Sequence, residues 1–124
     1  MATLDLDNNR AAYQIRAYQP GQIRINETNY TASVIVSADT LITDWPVQTL
    51  ADLTPATLRA VLPLQPAVLL IGTGSVSAYV APDCYGELIN AGIGVEVMNT
   101  RAACMTFNAL TAEGRAVVCA LLLN

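Results

Sequence analysis

An uninterrupted apolar segment in the middle of the chain constrains the fold more than any other feature. Residues 67–71 read Ala-Val-Leu-Leu-Ile, without the polar alternation of a half-exposed strand. A run of this kind is typical of a strand in a sheet that is covered on both faces. We therefore expect a layered domain, with further elements packed on each side of this strand.

Helical and strand patterns alternate through the last two thirds of the chain. Thr54 is a candidate N-cap before Pro55, which suits the first helical position. Further helices are predicted over 82–91 and after a cap at Asn99 or Thr100. Strands are predicted over 67–71, 93–98 and 115–122. Since a helix that connects two strands lies back over the sheet, this order predicts an α/β fold.

The first third of the chain has the two-residue period of β-structure. Alternation around Ile15 leads to a turn at Pro20-Gly21 and resumes over 22–25. A second turn at 26–29 leads to a strand predicted over 30–36. We expect an N-terminal β-hairpin layer added to the α/β unit, in one domain over 13–124, preceded by a polar leader over 1–12 that need not be ordered.

The composition excludes several classes of function. The chain has 124 residues, 53% hydrophobic and 13% charged, which suits a single well-packed core. The six basic residues are all arginines far apart in the sequence and the net charge is −4, so we expect no nucleic-acid partner. No histidine is present, which removes the commonest metal ligand and general base. We expect no metal, no cofactor and, on balance, no enzyme.

The cysteines and the N-terminus suggest a cytoplasmic protein. Cys84, Cys104 and Cys119 are an odd number at long spacings, so we interpret them as reduced thiols. The second and third have apolar neighbours and are expected in the core, whereas a reactive Cys84 is the alternative for the first. The acidic N-terminus resembles no signal peptide, and the longest apolar run, 116–123, is too short to span a membrane.

A ligand crevice is the first candidate site. Polar residues gather at and just after the end of the predicted strand 93–98, the edge where open α/β sheets place ligands. The proposed set is Gly72, Thr73, Gly74, Glu96, Asn99, Thr100 and Arg101. On a covered face the Glu96 carboxyl would have a raised pKa and could act as a general base. The alternatives are pairing with Arg101 or Arg115, or simple exposure, and a plain turn at 72–74.

Two single residues have alternative interpretations. Trp45, in a loop before Pro46, either covers the edge of the core or anchors a protein partner. Asn108 either braces a loop or caps its helix, or it contacts a substrate.

The chain resembles a family of unknown function, the Mth-type domains, which includes a mitochondrial assembly factor of respiratory complex I. The segments that carry the resemblance are 71–74, 92–103 and 106–115, together with Tyr18, Gly21, Ile23, Ile25, Tyr30, Ser33 and Trp45. The resemblance implies three layers: a mixed central sheet whose last strand is antiparallel, flanking helices and the β-hairpin layer. It implies no established enzymatic activity.

Two hypotheses of function follow. The first is a non-catalytic interaction or assembly module with an unknown protein partner, and self-association as a homodimer is an additional possibility. The second is a small-molecule or anion-binding protein, or a weak enzyme, that uses the crevice near Gly72–Gly74 and Glu96.

Overall fold

Eight strands form two sheets in the computed structural model, which describes residues 11–124. The strands are β1 Ile15–Gln19, β2 Gln22–Ile25, β3 Thr28–Tyr30, β4 Val34–Ser37, β5 Leu41–Ile42, β6 Val68–Thr73, β7 Gly94–Met98 and β8 Val117–Leu122. One sheet has the order β1-β2-β3 and the other the order β5-β4-β8-β6-β7. The predicted leader lies outside the described residues, except for residues 11 and 12.

Short helices connect these strands. The α-helices are α1 Pro55–Leu58, α2 Gly86–Asn90 and α3 Thr100–Ala112. Three segments are 3-10 helices: Leu50–Asp52, Arg59–Leu64 and Pro82–Cys84. Only α3 is long, so most of the connecting structure consists of single helical turns.

The five-stranded sheet is mixed. β6 pairs in parallel with both β7 and β8, whereas β4 pairs antiparallel with β8 and with β5. The expected antiparallel pairing of the last strand is found on one side of β8, towards β4, whereas its pairing with β6 is parallel because the α3 crossover returns β8 in the direction of β6. In this sheet β4 runs opposite to the other four strands, since β5, which is antiparallel to β4, has the direction of β8.

Alternate residues of β6 point into two separate core layers, which explains its apolar run. Leu69 and Ile71 pack with the short helices on one face of the sheet. Leu70 packs on the other face with Phe107 of α3 and Ile23 of the small sheet. All five side chains are at most 1% exposed. Burial of each of these side chains stabilises the fold by about 1.5–3 kcal/mol. The two core layers on opposite faces of the sheet confirm the predicted three-layer architecture.

The N-terminus of α1 forms as predicted. The Thr54 hydroxyl accepts a hydrogen bond from the N–H of Thr57 at 3.2 Å, and the Thr57 hydroxyl accepts one from the N–H of Thr54 at 2.9 Å. Pro55 occupies the first helical position. After α1 the chain continues as the 3-10 helix Arg59–Leu64, and Gln65, with φ 48°, follows its end.

Three predicted elements have different bounds. The strand predicted over 30–36 is two strands, β3 and β4, because its two ends belong to different sheets. The helix predicted over 82–91 is a 3-10 turn followed by α2, with Tyr85 between them at φ −121°. β6 continues through Gly72 and Thr73, which were predicted to lie in the turn after the strand.

Candidate functional site

The carboxyl ends of β6 and β8 meet the N-terminus of α3 at one edge of the large sheet. This edge holds the predicted crevice. Gly72 and Thr73 are the last residues of β6, and Thr100 is the first residue of α3. The structure brings these residues together with Gly74, as the sequence predicted.

Thr100 is fully buried, and its polar atoms are used within the chain. Its hydroxyl accepts a hydrogen bond from the N–H of Gly74 at 2.8 Å and donates one to the carbonyl oxygen of Leu122. Its own N–H donates to the carbonyl oxygen of Gly74 at 2.8 Å. This hydroxyl therefore joins three segments of the chain and is not open to a ligand.

The two glycines of this edge are in close contact with the protein itself. A Cβ on Gly72 would lie 2.8 Å from the Thr100 hydroxyl oxygen and 2.9 Å from a methyl carbon of Leu121. Gly74 has φ +101°, and a Cβ there would overlap the carbonyl oxygen of Asn124. Neighbouring protein atoms therefore fill the space that small residues were predicted to leave for an anion.

Thr73 fixes the loop that follows β6. Its hydroxyl donates to the carbonyl oxygens of Val76, at 2.8 Å, and Met98, at 3.2 Å, and it accepts from the N–H of Ala78 at 3.1 Å. The side chain is 3% exposed. We call residues 74–81 the apical loop, and this hydroxyl holds it against the end of β7.

The remaining predicted site residues lie around this edge. The Asn99 side chain accepts from the N–H of Ala102 at 2.8 Å and caps α3. Arg101 is exposed, with its guanidinium carbon 5.5 Å from the ring centre of Tyr18. Glu96 is exposed on β7, an edge strand, so the covered environment expected for a general base is not formed.

The predicted pairing of Glu96 with Arg101 or Arg115 is also not formed. Within residues 11–124 the ion pairs join Arg24 to Glu27, at 3.0 Å, and Arg59 to Glu87, at 2.7 Å. Simple exposure is the alternative that describes Glu96 here.

Trp45 belongs to the core. It is 6% exposed, packs with one of the two core layers, and its indole N–H donates to the carbonyl oxygen of Thr57 at 2.9 Å. Its ring is therefore not presented to solvent, as an anchor for a protein partner would be. The alternative, that it covers the core, is confirmed.

Asn108 braces the small sheet against α3. Its side-chain oxygen accepts from the N–H of Ile15 at 3.1 Å, and its amide nitrogen donates to the carbonyl oxygen of Ile15 at 2.7 Å. The bracing interpretation is confirmed, because one amide group satisfies both backbone groups of a residue in β1.

The cysteines are free, and two lie in the core as predicted. Burial raises the pKa of the Cys104 thiol to about 12, against an opposing effect of Arg101. Burial also raises the pKa of Cys119 well above its usual value, with a further contribution from Cys104. The Cys84 thiol is half-buried and donates to the carbonyl oxygen of Leu53 at 3.3 Å.

Metal-binding clusters and membrane-spanning helices are two further features that bear on function. Residues 11–124 contain no group of three or more acidic or cysteine side chains placed to bind a metal ion. Over the same residues, no helix has the length and apolar character needed to cross a membrane.

Two surface features were missed in the sequence. The apical loop exposes 68% of Val76 and 81% of Tyr79. At the opposite end of the large sheet, a cleft of about 290 Å³ is lined by residues that include Asp39 and Arg115. The available signal for the first feature was the presence of three large apolar residues, Val76, Tyr79 and Val80, among the small residues of 74–81.

Comparison with known proteins identifies the family. The model of a family described as protein of unknown function (DUF498/DUF598) matches residues 15–122. The chain belongs to this family. Its Mth-type resemblance is confirmed by a Bordetella pertussis protein described as an Mth938-like domain, whose solution structure has a TM-score of 0.80 at 32% identity, covering 91% of this chain and 87% of that one.

Other members with similar sequences or structures have varied descriptions. A crystal structure of a Bordetella parapertussis protein has a TM-score of 0.85 at 38% identity, covering 92% of this chain and 98% of that one. A Danio rerio protein named NADH dehydrogenase [ubiquinone] 1 alpha subcomplex assembly factor 3 is 32% identical over 87% of this chain, which spans 63% of the Danio rerio protein. A Francisella tularensis relative, 27% identical over 98% of this chain and 100% of its own length, is named 13 kDa major membrane protein.

Proposed function

We propose that this chain is a non-catalytic module that binds a protein partner during the assembly of a larger complex. The observation that carries the proposal is the use of the Thr73 and Thr100 hydroxyls within the chain. Both side chains are buried, and both hold backbone groups in place. The edge of the sheet where a ligand was expected therefore works as scaffolding.

The family supports the same function. A Danio rerio relative is named as an assembly factor of NADH dehydrogenase, and this name supports an assembly function for the present chain. Within residues 11–124, no buried carboxylate or histidine is available to act as a general base. A module that binds a protein needs no such group.

The experiment compares cells with and without this chain. Native gels followed by mass spectrometry should show one complex that accumulates as an incomplete intermediate without the chain, and re-expression of the wild-type chain should restore it. If every complex forms normally and a metabolite pool changes instead, the function is chemical and the proposal fails.

A ligand-binding function for the crevice is the weaker candidate, since the structure leaves Thr73 and Thr100 without open polar groups. It is tested by a thermal-shift screen with metabolites, nucleotides and small anions. A stabilisation that disappears in Glu96→Gln would favour this candidate over the assembly module.

We also propose that the protein works in the cytoplasm. Three free thiols, none placed in a disulfide, suit a reducing compartment. Cell fractionation tests the proposal directly, and recovery of the chain with membranes after a high-salt wash would overturn it.

A further inference from the structure

The apical loop presents two large apolar side chains to solvent. Val76 and Tyr79 are 68% and 81% exposed, and they lie three residues apart in a single loop. The other exposed large apolar side chains among residues 11–124, Leu50, Ile89 and Met105, belong to different helical segments. Tyrosine is enriched among residues that dominate binding energy, because it buries a large area at a small cost in conformational entropy.

The apical loop is held in place at both ends before any partner arrives. At its start, Gly74 exchanges backbone and side-chain hydrogen bonds with Thr100. Thr73 binds the backbone of Val76 and Ala78, and Val80 is buried in the core near the other end. Most of the ordering cost of this loop is therefore met on folding, which favours binding.

Two exposed carboxylates lie near the ends of the apical loop. No basic residue occurs between Arg59 and Arg101. Asp83 is exposed two residues after the end of the loop, and Glu96 is exposed on β7, two residues before the carbonyl group that Thr73 binds. Neither forms an ion pair with residues 11–124. Arg101 is also exposed and follows Thr100, which binds Gly74, but its guanidinium lies over the ring of Tyr18. The two carboxylates therefore outnumber the one cation near the loop, and this negative balance complements a basic surface.

We propose that the apical loop inserts Tyr79 and Val76 into an apolar pocket of a partner protein, and that lysine or arginine residues surround this pocket. This inference rests on the proposed function and names the surface that performs it. The flanking carboxylates disfavour an anionic membrane, and they disfavour a second copy of this chain, which would bring the same charge to the contact.

The test is photo-cross-linking in the cells that make the protein. A benzoylphenylalanine is placed at position 76, 79 or 105 of the full chain. Met105 is a matched control, because it is as exposed as Val76, at 68%, but lies on α3. We expect one protein cross-linked from 76 and 79 and not from 105, through a site with apolar residues beside lysine or arginine.

A second set of variants keeps the probe at one position and tests whether Tyr79 itself contributes to binding. With the probe at 76, Tyr79→Ser should lower the cross-linked yield at least about tenfold, whereas Met105→Ser should leave it within about twofold. Added salt should also lower the yield, because it screens the flanking charges. Unchanged thermal unfolding of each variant confirms that the fold is intact.

Each cross-linking result tests either the binding surface, the type of partner or the proposed function. A partner that cross-links only from 105 overturns the apical loop as the surface and leaves the assembly function standing. A cross-linked homodimer, or flotation with phosphatidylglycerol vesicles that is lost in Tyr79→Ser, overturns the protein-pocket proposal. If no partner is cross-linked from any of the three positions, the apical loop is not the binding surface. If all complexes form normally in cells without the chain, the proposed assembly function itself is overturned.

Discussion

The hydroxyl of Thr100 donates a hydrogen bond to the carbonyl oxygen of Leu122, so the first residue of α3 is joined to the last residue of β8. The same hydroxyl accepts the N–H of Gly74, just beyond β6. One buried side chain therefore sets the relative positions of three segments at this edge of the sheet.

Replacement of Thr100 by valine should destabilise the fold by about 2–4 kcal/mol. The shape is kept, but the Gly74 N–H and the Leu122 carbonyl group lose a buried partner. Thr100→Ser keeps the hydroxyl and loses one methyl group, at about 1 kcal/mol. Urea unfolding measures both, and equal losses in the two variants would contradict the role of the hydroxyl.

Gly74→Ala should be the most damaging alanine substitution at a glycine of this edge. Gly74 combines φ +101° with a Cβ position occupied by Asn124. We expect a loss of about 3 kcal/mol or more, measured by thermal unfolding.

Two other glycines separate the cost of backbone strain from the cost of the contact with Asn124. Gly92 has φ +86° and open space around a Cβ, so Gly92→Ala should cost about 1 kcal/mol from backbone strain alone. Gly86 also has open space, without a positive φ, and Gly86→Ala in α2 should be neutral or slightly stabilising. If Gly74→Ala lowers the free energy of unfolding by no more than Gly92→Ala does, the contact with Asn124 does not contribute to the loss.

Removal of the Asn108 side chain should loosen the small sheet while α3 stays folded. Asn108→Ala leaves the N–H and carbonyl group of Ile15 without their partner, at about 1–2 kcal/mol. Hydrogen exchange should become faster over β1 and remain slow in the middle of α3. Uniform acceleration across the domain would show that the small sheet does not open separately.

Stability should decrease at alkaline pH because of Cys104. The pKa of this thiol is about 12 in the folded protein, whereas a cysteine in an unfolded chain has a pKa of about 8.5. The stabilising contribution is complete below the unfolded pKa and is lost as the pH rises towards the folded pKa. Between these values the unfolded chain binds fewer protons, so stability falls by about 1.4 kcal/mol per pH unit.

Urea unfolding under reducing conditions at several pH values from 8 to 10 measures this slope. Cys104→Ala should give a flatter dependence by about one proton. Equal slopes in the two proteins would show that the thiol does not titrate differently in the two states.

Sequence patterns predicted the elements that depend on nearby residues. The Thr54 and Asn99 caps and the doubly covered strand β6 are encoded within a few positions, so their signals are local. The two core layers follow from the same alternation in β6.

The sequence could not show what fills the space around residues 72–74, because the deciding contacts are distant in sequence. Small residues at 72–74 indicate a close approach, but the same signal arises whether the approaching group is a ligand or, as here, Thr100 and Asn124. The burial of Trp45 depends likewise on a carbonyl group of α1, twelve residues away, that no local pattern reveals.

The central position of β8 also determines when this protein can fold. β8 is the last of the eight strands, yet it lies between β4 and β6, with Ala120 paired to both Ile35 and Ile71. During synthesis, β4 and β6 leave the ribosome before their common neighbour exists, so their apolar side chains lack cover. The large sheet is completed only after residue 122 has emerged, and until then the nascent chain exposes apolar strands that can aggregate.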